Sequence, residues 1–170
     1  PVTRVDATRV LRECGVAEGD TILVHSALRP FGEVDGGASA IAAALLDSVG
    51  ATGTVVAPAF TFLMRNRIVD YQFWVDVGSE SWWKRLDQPL THPYVLMRGY
   101  PLGRFWSEED EIEAQRRVLY RLMVGLLRRC RRRVYLGVAD LNEQGYEQRG
   151  PMLYVFQQIL QRYGGQEERV

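Results

Sequence analysis

The sequence predicts an α/β protein, in which helices cover both faces of a mostly parallel sheet and an irregular, tryptophan-rich insertion interrupts the pattern. One observation is a strand–helix–strand unit near the start of the chain, and the other is the continued alternation of strand and helix patterns after it. We expect strands at 21–25, 54–57 and 133–138, and helices near 5–14, 38–49, 108–131 and 152–163.

The first strand–helix–strand unit is the clearest local pattern. Thr21–His25 is a short, largely β-branched run, and the glycine-rich stretch 26–37 that follows cannot be helical. The next segment repeats apolar residues at helical spacing, at Ile41, Leu45 and Val49. Gly50 then predicts the helix C-cap, and residues 54–57 form the second strand.

This unit also predicts where a ligand binds. A strand–helix–strand connection makes its two strands parallel, so the loops that follow them lie at one edge of the sheet. Open α/β sheets bind ligands beyond that carboxyl edge. Candidate site residues follow the two strands: His25, Ser26, Pro58 and Thr61.

The character of the chain changes after Phe62. Residues 1–62 hold 4 Arg against 7 acids (net −3), whereas residues 63–170 hold 17 Lys and Arg against 14 acids (net +3). All four tryptophans lie between 74 and 106. Ser107 predicts a helix N-cap, with acids in the first turns and Arg128, Arg129 and Arg131 in the last. We therefore divide the chain into a β-α-β unit, 1–62, and an arginine-rich α/β portion, 63–170.

Composition excludes several classes of protein. A length of 170 residues suits one ordinary domain, and the chain has neither a membrane-spanning run nor a signal-peptide pattern, which predicts a cytoplasmic protein with reduced thiols at Cys14 and Cys130. The only lysine, Lys84, follows two tryptophans, so no phosphate-binding P-loop is present. The two histidines have no Cys or carboxylate cluster at ligand spacing, so no metal site is expected.

The N-terminal third resembles the aminoglycoside 3-N-acetyltransferase family. The matching elements are Val24-His25-Ser26-Ala27-Leu28-Arg29, Gly32, the helix-opening pair Gly36-Gly37, and Gly53-Thr54-Val55-Val56 running into Pro58-Ala59-Phe60-Thr61. The resemblance implies transfer of acetyl from acetyl-CoA to an aminoglycoside amine, an antibiotic-resistance activity. It also implies a set of cofactor-binding residues: His25, Ser26, Ala27, Leu28, Gly36, Gly37, Pro58, Phe60 and Thr61. Helix-start amides in this set would face the phosphates or the pantetheine.

The later elements of that family are incomplete in this chain. Thr91-His92-Pro93 is similar to the family's Arg-Ser-x-His-Pro element, but the Gly-x-x-Ser-Pro turn and the histidine before it are missing. His92 is therefore the one candidate for the general base that amine acetylation needs. We expect weak or no acetylation by this chain, even where it binds the cofactor.

Residues from about 66 to 163 also resemble the C-terminal end of UvrD-type helicases, in which an arginine-bearing helix runs into a strand. Leu127-Arg128-Arg129-Cys130-Arg131-Arg132-Arg133-Val134-Tyr135-Leu136 carries this likeness, and Arg128 or Arg131 would then contact a nucleotide phosphate. The alternative to an acetyltransferase is thus a helicase end fragment, or a fusion without activity of its own. Zero net charge and the missing P-loop predict no specific nucleic-acid partner. The sequence leaves the oligomeric state open.

Overall fold

The computed structural model describes residues 1–25, 32–57, 59–82, 92, 98–99, 101, 103–139, 141, 145–148 and 150–163. Within these ranges, four strands form one sheet in which every neighbouring pair is parallel. The strands are β1 (Thr21–His25), β2 (Thr54–Val56), β3 (Val69–Trp74) and β4 (Cys130–Leu136). Their order across the sheet is β2-β1-β3-β4. The predicted α/β class is confirmed.

Helices cover both faces of this sheet. On one face, α1 (Arg4–Glu13) and α2 (Gly37–Val49) close a core that contains Leu11, Ile22 and Tyr71. On the other face lie α3 (Ala59–Met64), α4 (Glu108–Leu127) and α5 (Pro151–Tyr163). They bury a larger core whose centre holds Leu23 and Trp74.

The predicted helix ends are largely confirmed where a capping residue marks them. Ser107 caps α4 through a reciprocal pair of hydrogen bonds with Asp110, as a capping box does. Gly50 is the C-cap of α2 with φ 67° and ψ −168°, a conformation open essentially only to glycine. Thr3 and Asp6 form a second capping box at the start of α1.

The boundary between α4 and β4 was predicted wrongly. The helix was expected to reach residue 131 and the strand to cover 133–138, but α4 ends at Leu127 and β4 spans Cys130–Leu136. Arg128 is the C-cap, and the Arg129 guanidinium folds back to donate to the Gly125 carbonyl at 2.9 Å and to Asn66 Oδ1 at 2.8 Å. Arg131 therefore belongs to the strand and not to the last helical turn.

Two elements just before the tryptophan-rich stretch 74–106 were not predicted. β3 lies in the middle of the sheet between β1 and β4, and the short helix α3 precedes it. β3 does not show the usual strand pattern because it contains the polar residues Asp70 and Gln72. Both side chains nevertheless have hydrogen-bond partners. The Thr21 amide donates to Asp70 at 3.0 Å, and Gln72, fully buried, accepts from the Trp74 indole and donates to the Leu126 carbonyl, each at 2.8 Å.

The sheet and its larger core run across the predicted boundary between residues 62 and 63. β1 of the first portion pairs with β3 of the second over four residue pairs, from Ile22↔Tyr71 to His25↔Trp74. Leu23 and Phe62 share one buried cluster with Trp74 and Leu122. This arrangement favours one folded unit over two loosely touching bodies.

Candidate functional site

The carboxyl edge of the sheet contains a topological switch point between β1 and β3. From β1 the chain passes through α2 on one face to β2, whereas from β3 it passes through α4 on the other face to β4. Connections that leave two neighbouring strands on opposite faces open a crevice beyond their carboxyl ends, which is where such sheets bind ligands. His25, the last residue of β1, lies there directly opposite Trp74.

The His25 side chain connects three elements at this edge. The Ala59 amide, at the start of α3, donates to His25 Nδ1 at 3.4 Å. The imidazole also meets the buried Trp82 ring edge-on, with ring centroids 4.2 Å apart. Val75 also joins these residues through its backbone. Its amide donates to the His25 carbonyl at 3.0 Å, and its carbonyl accepts from the Trp82 indole at 3.3 Å.

This environment favours the neutral form of His25. Burial lowers the pKa of the imidazole below its ordinary value. Because Nδ1 accepts a hydrogen bond, the proton of the neutral ring lies on Nε2. His25 therefore holds the start of α3 against the ends of β1 and β3.

The predicted glycine pair opens α2, as expected. Gly36 is the N-cap with φ 78° and Gly37 the first helical residue with φ 59°, so both adopt left-handed conformations. Among the residues that the structure describes, no side chain caps this helix start. The Gly37 amide donates to the Val34 carbonyl at 3.0 Å. The other amides in the first turn of a helix point outward without intrahelical partners, and with the helix dipole they favour an anion. Because α2 follows β1, this start lies at the carboxyl edge.

Several predicted site residues lie outside the described part of the chain. These are Ser26, Ala27, Leu28 and Pro58. Phe60 and Thr61 lie in the backbone of α3, but their side chains are not described. Their assignment to the site remains a prediction.

His92 belongs to a polar cluster at the start of α4. His92 Nε2 lies 3.1 Å from Glu111 Oε2, and the Trp106 indole donates to the same oxygen at 2.8 Å. Gln115 donates to the other carboxylate oxygen at 2.7 Å, and the His92 and Trp106 rings meet edge-on at 5.2 Å. Burial opposes ionisation of Glu111, but the hydrogen bonds from Trp106, Gln115 and His92 outweigh it and hold the pKa of this carboxyl below its ordinary value.

The topology places this cluster at the same end of the sheet as His25. A helix that joins two parallel strands runs antiparallel to them, so α4 starts at the carboxyl edge and ends at the amino edge. Its 20 residues span about 30 Å, against about 20 Å for the six residues of β3. The first turn of α4, with Glu111, therefore extends beyond the carboxyl edge.

Sequence reasoning missed the partners of both histidines. Glu111 reads as one of several acids that favour a helix start, and Trp82 as part of an irregular segment. The separations are 19 residues for His92 and Glu111 and 57 for His25 and Trp82, so no local pattern links them. The one sequence feature that pointed to this cluster was the position of Glu111, in the first turns of a helix and five residues after Trp106.

Part of this chain is similar in sequence to a known protein family. Residues 23–97 match the family model of aminoglycoside 3-N-acetyltransferases. The N-terminal half of the chain resembles these enzymes. The matched segment contains His25, the glycine pair and His92, and it continues past residue 62, where the resemblance read from the sequence had ended.

Individual relatives agree with the family match. Aminoglycoside N(3)-acetyltransferase III of Salmonella sp is 46% identical over 54 residues, which are 32% of this chain and 19% of that protein. Aminoglycoside N(3)-acetyltransferase IX of Micromonospora chalcea is 41% identical over 106 residues, 61% of this chain and 36% of the relative. A prophage-derived aminoglycoside N(3')-acetyltransferase-like protein of Bacillus subtilis is 37% identical over 84 residues, 49% and 29%. The matches thus span about a fifth to a third of the relatives.

These comparisons give no support to the helicase resemblance of residues 66–163. No solved structure matches the chain. In the part of the chain that the structure describes, no helix is both long and apolar enough to cross a membrane.

Proposed function

We propose that this chain is an acetyltransferase of the aminoglycoside type, which takes acetyl from acetyl-CoA and passes it to an amine of an aminoglycoside. The observation that supports this most directly is the topological switch point between β1 and β3. The end of β1 and the glycine-opened start of α2 both lie there, in the segment similar to that family. Such an activity would confer antibiotic resistance. A cytoplasmic location fits Cys14 and Cys130, which form no disulfide with each other, because a reducing compartment preserves thiols.

The start of α2 fits an anionic part of the co-substrate. A Cβ added to Gly37 would meet no atom of the described residues within 4 Å, so with respect to them the space beside this backbone is open. At Gly36 an added Cβ would approach the Ala40 Cβ to 3.2 Å, so a side chain here would crowd the first turn. An open approach to the amides in the first turn of a helix is the arrangement that phosphate groups favour. We assign Gly36, Gly37 and the amides of residues 26–28 to the phosphate or pantetheine groups of acetyl-CoA.

His92 is the proposed general base, and Glu111 is its partner. In the transfer, the amine nitrogen attacks the thioester carbonyl, a C–N bond forms, and the C–S bond breaks to release the CoA thiolate. The amine proton passes to the base and from it to the thiolate. An imidazole can accept that proton, and a neighbouring carboxylate stabilises the imidazolium that results. The Glu111 carboxylate, 3.1 Å from His92 Nε2 and ionised at neutral pH, supplies this stabilisation.

We propose that this activity is slow. The chain lacks the Gly-x-x-Ser-Pro turn and its histidine. It therefore lacks one polar element that the resemblance leads us to expect near the acceptor amine. Cosubstrate binding does not depend on that element, so binding and turnover are expected to separate in this chain.

Calorimetry with acetyl-CoA tests the binding half of the proposal. We expect measurable heat with the unmodified chain and none with Gly37→Asn, because asparagine tolerates the left-handed conformation but places a side chain beside the amides. The matched control is Gly99→Asn, at another glycine with positive φ and open space, and it should bind normally. Absence of heat up to millimolar acetyl-CoA would refute the assignment.

A thiol-release assay with several aminoglycosides tests the chemical half. We expect turnover well below the roughly 10 per second of an average enzyme. Any activity should disappear in His92→Ala, and Glu111→Gln should lower it and shift its pH profile, because the amide cannot stabilise an imidazolium as a carboxylate does. Retained activity in His92→Ala would exclude this histidine as the base while leaving the binding proposal intact.

A further inference from the structure

The outward face of α4 carries an arginine surface that the proposed acetyl transfer does not use. We call it the basic face; it consists of Arg116, Arg117, Tyr120, Arg121 and Arg128. Four of these side chains, together with Glu113, surround a shallow depression of about 440 Å³. Tyr120 is 68% exposed, whereas Leu119, Leu122 and Leu126 on the opposite side of the same helix are buried. The basic face thus looks outward over about three turns, or about 18 Å.

Most of the charge on this surface has no acidic partner within the described part of the chain. Residues 116–133 contain eight arginines and no acid. The Arg131 and Arg132 guanidinium groups each lie 3.7 Å from a carboxylate, of Asp70 and Asp20 respectively. Arg116, Arg121 and Arg128 have no acidic partner among the described residues, and all three are exposed.

The acids at the start of α4 do not compensate for these arginines. Asp110 pairs with Arg104 at 2.5 Å and caps the helix, and Glu111 binds His92 and Trp106. Among the described acids, Glu113 is the one that pairs with the basic face, through Arg117 at 2.9 Å. The side chains of Glu113 and Arg117 are each more than half exposed. Such a pair contributes little stability, so Arg117 can exchange it for another anion at small cost.

We propose that the basic face binds single-stranded nucleic acid without sequence preference. Guanidinium groups bind phosphate oxygens through paired N–H donors, which makes arginine well suited to a phosphodiester backbone. Tyr120 lies among the arginines with its ring exposed, so an unpaired base can stack on it while the neighbouring arginines hold the phosphates. A duplex hides its bases and offers no such stacking partner. An acidic protein segment would satisfy the charge but would leave the tyrosine without a role.

Fluorescence anisotropy with a labelled thymidine oligonucleotide of about 20 nucleotides tests the proposal. We expect binding at low salt whose affinity falls with a log–log slope of about −2, from about three neutralised phosphates at about 0.7 each. Arg116→Gln/Arg121→Gln should weaken binding at least about tenfold and reduce the slope by about 1.4. The matched control is Arg98→Gln/Arg162→Gln, which removes two exposed arginines elsewhere and the same charge, and it should bind almost normally.

Tyr120 separates stacking from charge attraction. Tyr120→Ala should weaken single-strand binding by about tenfold or more, whereas Tyr120→Phe, which keeps the ring, should not. Duplex of the same sequence and polyglutamate serve as competitors, and circular dichroism verifies that each variant folds. Equal loss in the control pair would refute the proposal, since binding would then follow net charge alone. Equal competition by polyglutamate together with an unchanged Tyr120→Ala would also refute it, in favour of an acidic protein partner.

Discussion

Replacing His25 tests whether this side chain organises the carboxyl edge of the sheet. Two substitutions each remove one of its two side-chain contacts and keep the other. His25→Phe keeps a ring beside Trp82 but removes the acceptor for the Ala59 amide, whereas His25→Asn keeps an acceptor near the position of Nδ1 but removes the ring. Ala59 is fully buried, so in His25→Phe its amide would lose its hydrogen-bond acceptor and could not bind water instead.

The magnitudes follow from these contacts. A buried donor without a partner costs about 1–3 kcal/mol, and since the present bond is long at 3.4 Å we expect about 1–2 kcal/mol for His25→Phe. Loss of the edge-on ring pair in His25→Asn costs about 0.5–1.5 kcal/mol beyond the lost burial. For a domain of this size, 1 kcal/mol lowers the melting temperature by about 2–4 °C.

Proton linkage supplies a second measurement on the same variants. Burial lowers the pKa of His25 in the folded state, so the unfolded chain binds this proton more readily. The stability that neutral His25 contributes is therefore present above the ordinary pKa of about 6.5 and is lost as the pH falls through the lower folded value. Both variants should show a smaller loss of stability between pH 7.5 and 5 than the unmodified chain.

Urea unfolding followed by circular dichroism, at both pH values, checks these expectations. Tryptophan emission should change as well, because Trp82 contacts the imidazole at a centroid distance of 4.2 Å. If His25→Phe matched the unmodified chain in stability and kept its full pH dependence, the imidazole would have no organising role. The reasoning about the start of α3 would then fail.

The remaining predictions concern the stability of the fold that supports the site. Gln72→Met leaves the buried Trp74 indole without its acceptor, and should cost about 2 kcal/mol in urea unfolding, whereas Gln158→Met on an exposed surface should cost less than about 0.5. Gly50→Ala forces a side chain into a conformation open essentially only to glycine, and should lower stability by about 1–3 kcal/mol; a loss below about 0.5 would contradict the backbone argument. Because one core joins both portions of the chain, far-ultraviolet and fluorescence signals should report a single unfolding transition; two separated transitions would indicate independent bodies.

The sequence predicted the elements whose signals are local. β1 has the predicted bounds, and α2 ends at the predicted glycine, because a β-branched run and a helical repeat closed by Gly50 each carry their own signal. The predicted site at the carboxyl edge depended only on the parallel pairing that a strand–helix–strand unit requires, and that pairing is confirmed.

What the sequence did not predict depends on contacts between distant residues. β3 was missed because Asp70 and Gln72 look like loop residues until their partners on β1 and α4 are known. The end of α4 was missed because the arginine run 128–133 has no feature that separates helix from strand. The turn becomes visible only through Arg129, which bonds back to Gly125 and across to Asn66.

The two histidines show how the topology could assemble a site from the two portions of the chain. His25 reaches the carboxyl edge because β1 ends there, and Glu111, which holds His92, reaches the same edge because α4 must start there to enter β4 in parallel. The parallel sheet alone places both residues at this edge, whether or not the two portions of the chain share an origin. A base supplied by the second portion is therefore compatible with a co-substrate site supplied by the first, as long as β3 stays paired with both β1 and β4. The pairing of β3 is thus a structural condition for the proposed chemistry, and the buried Gln72 contacts that join this strand to α4 are part of it.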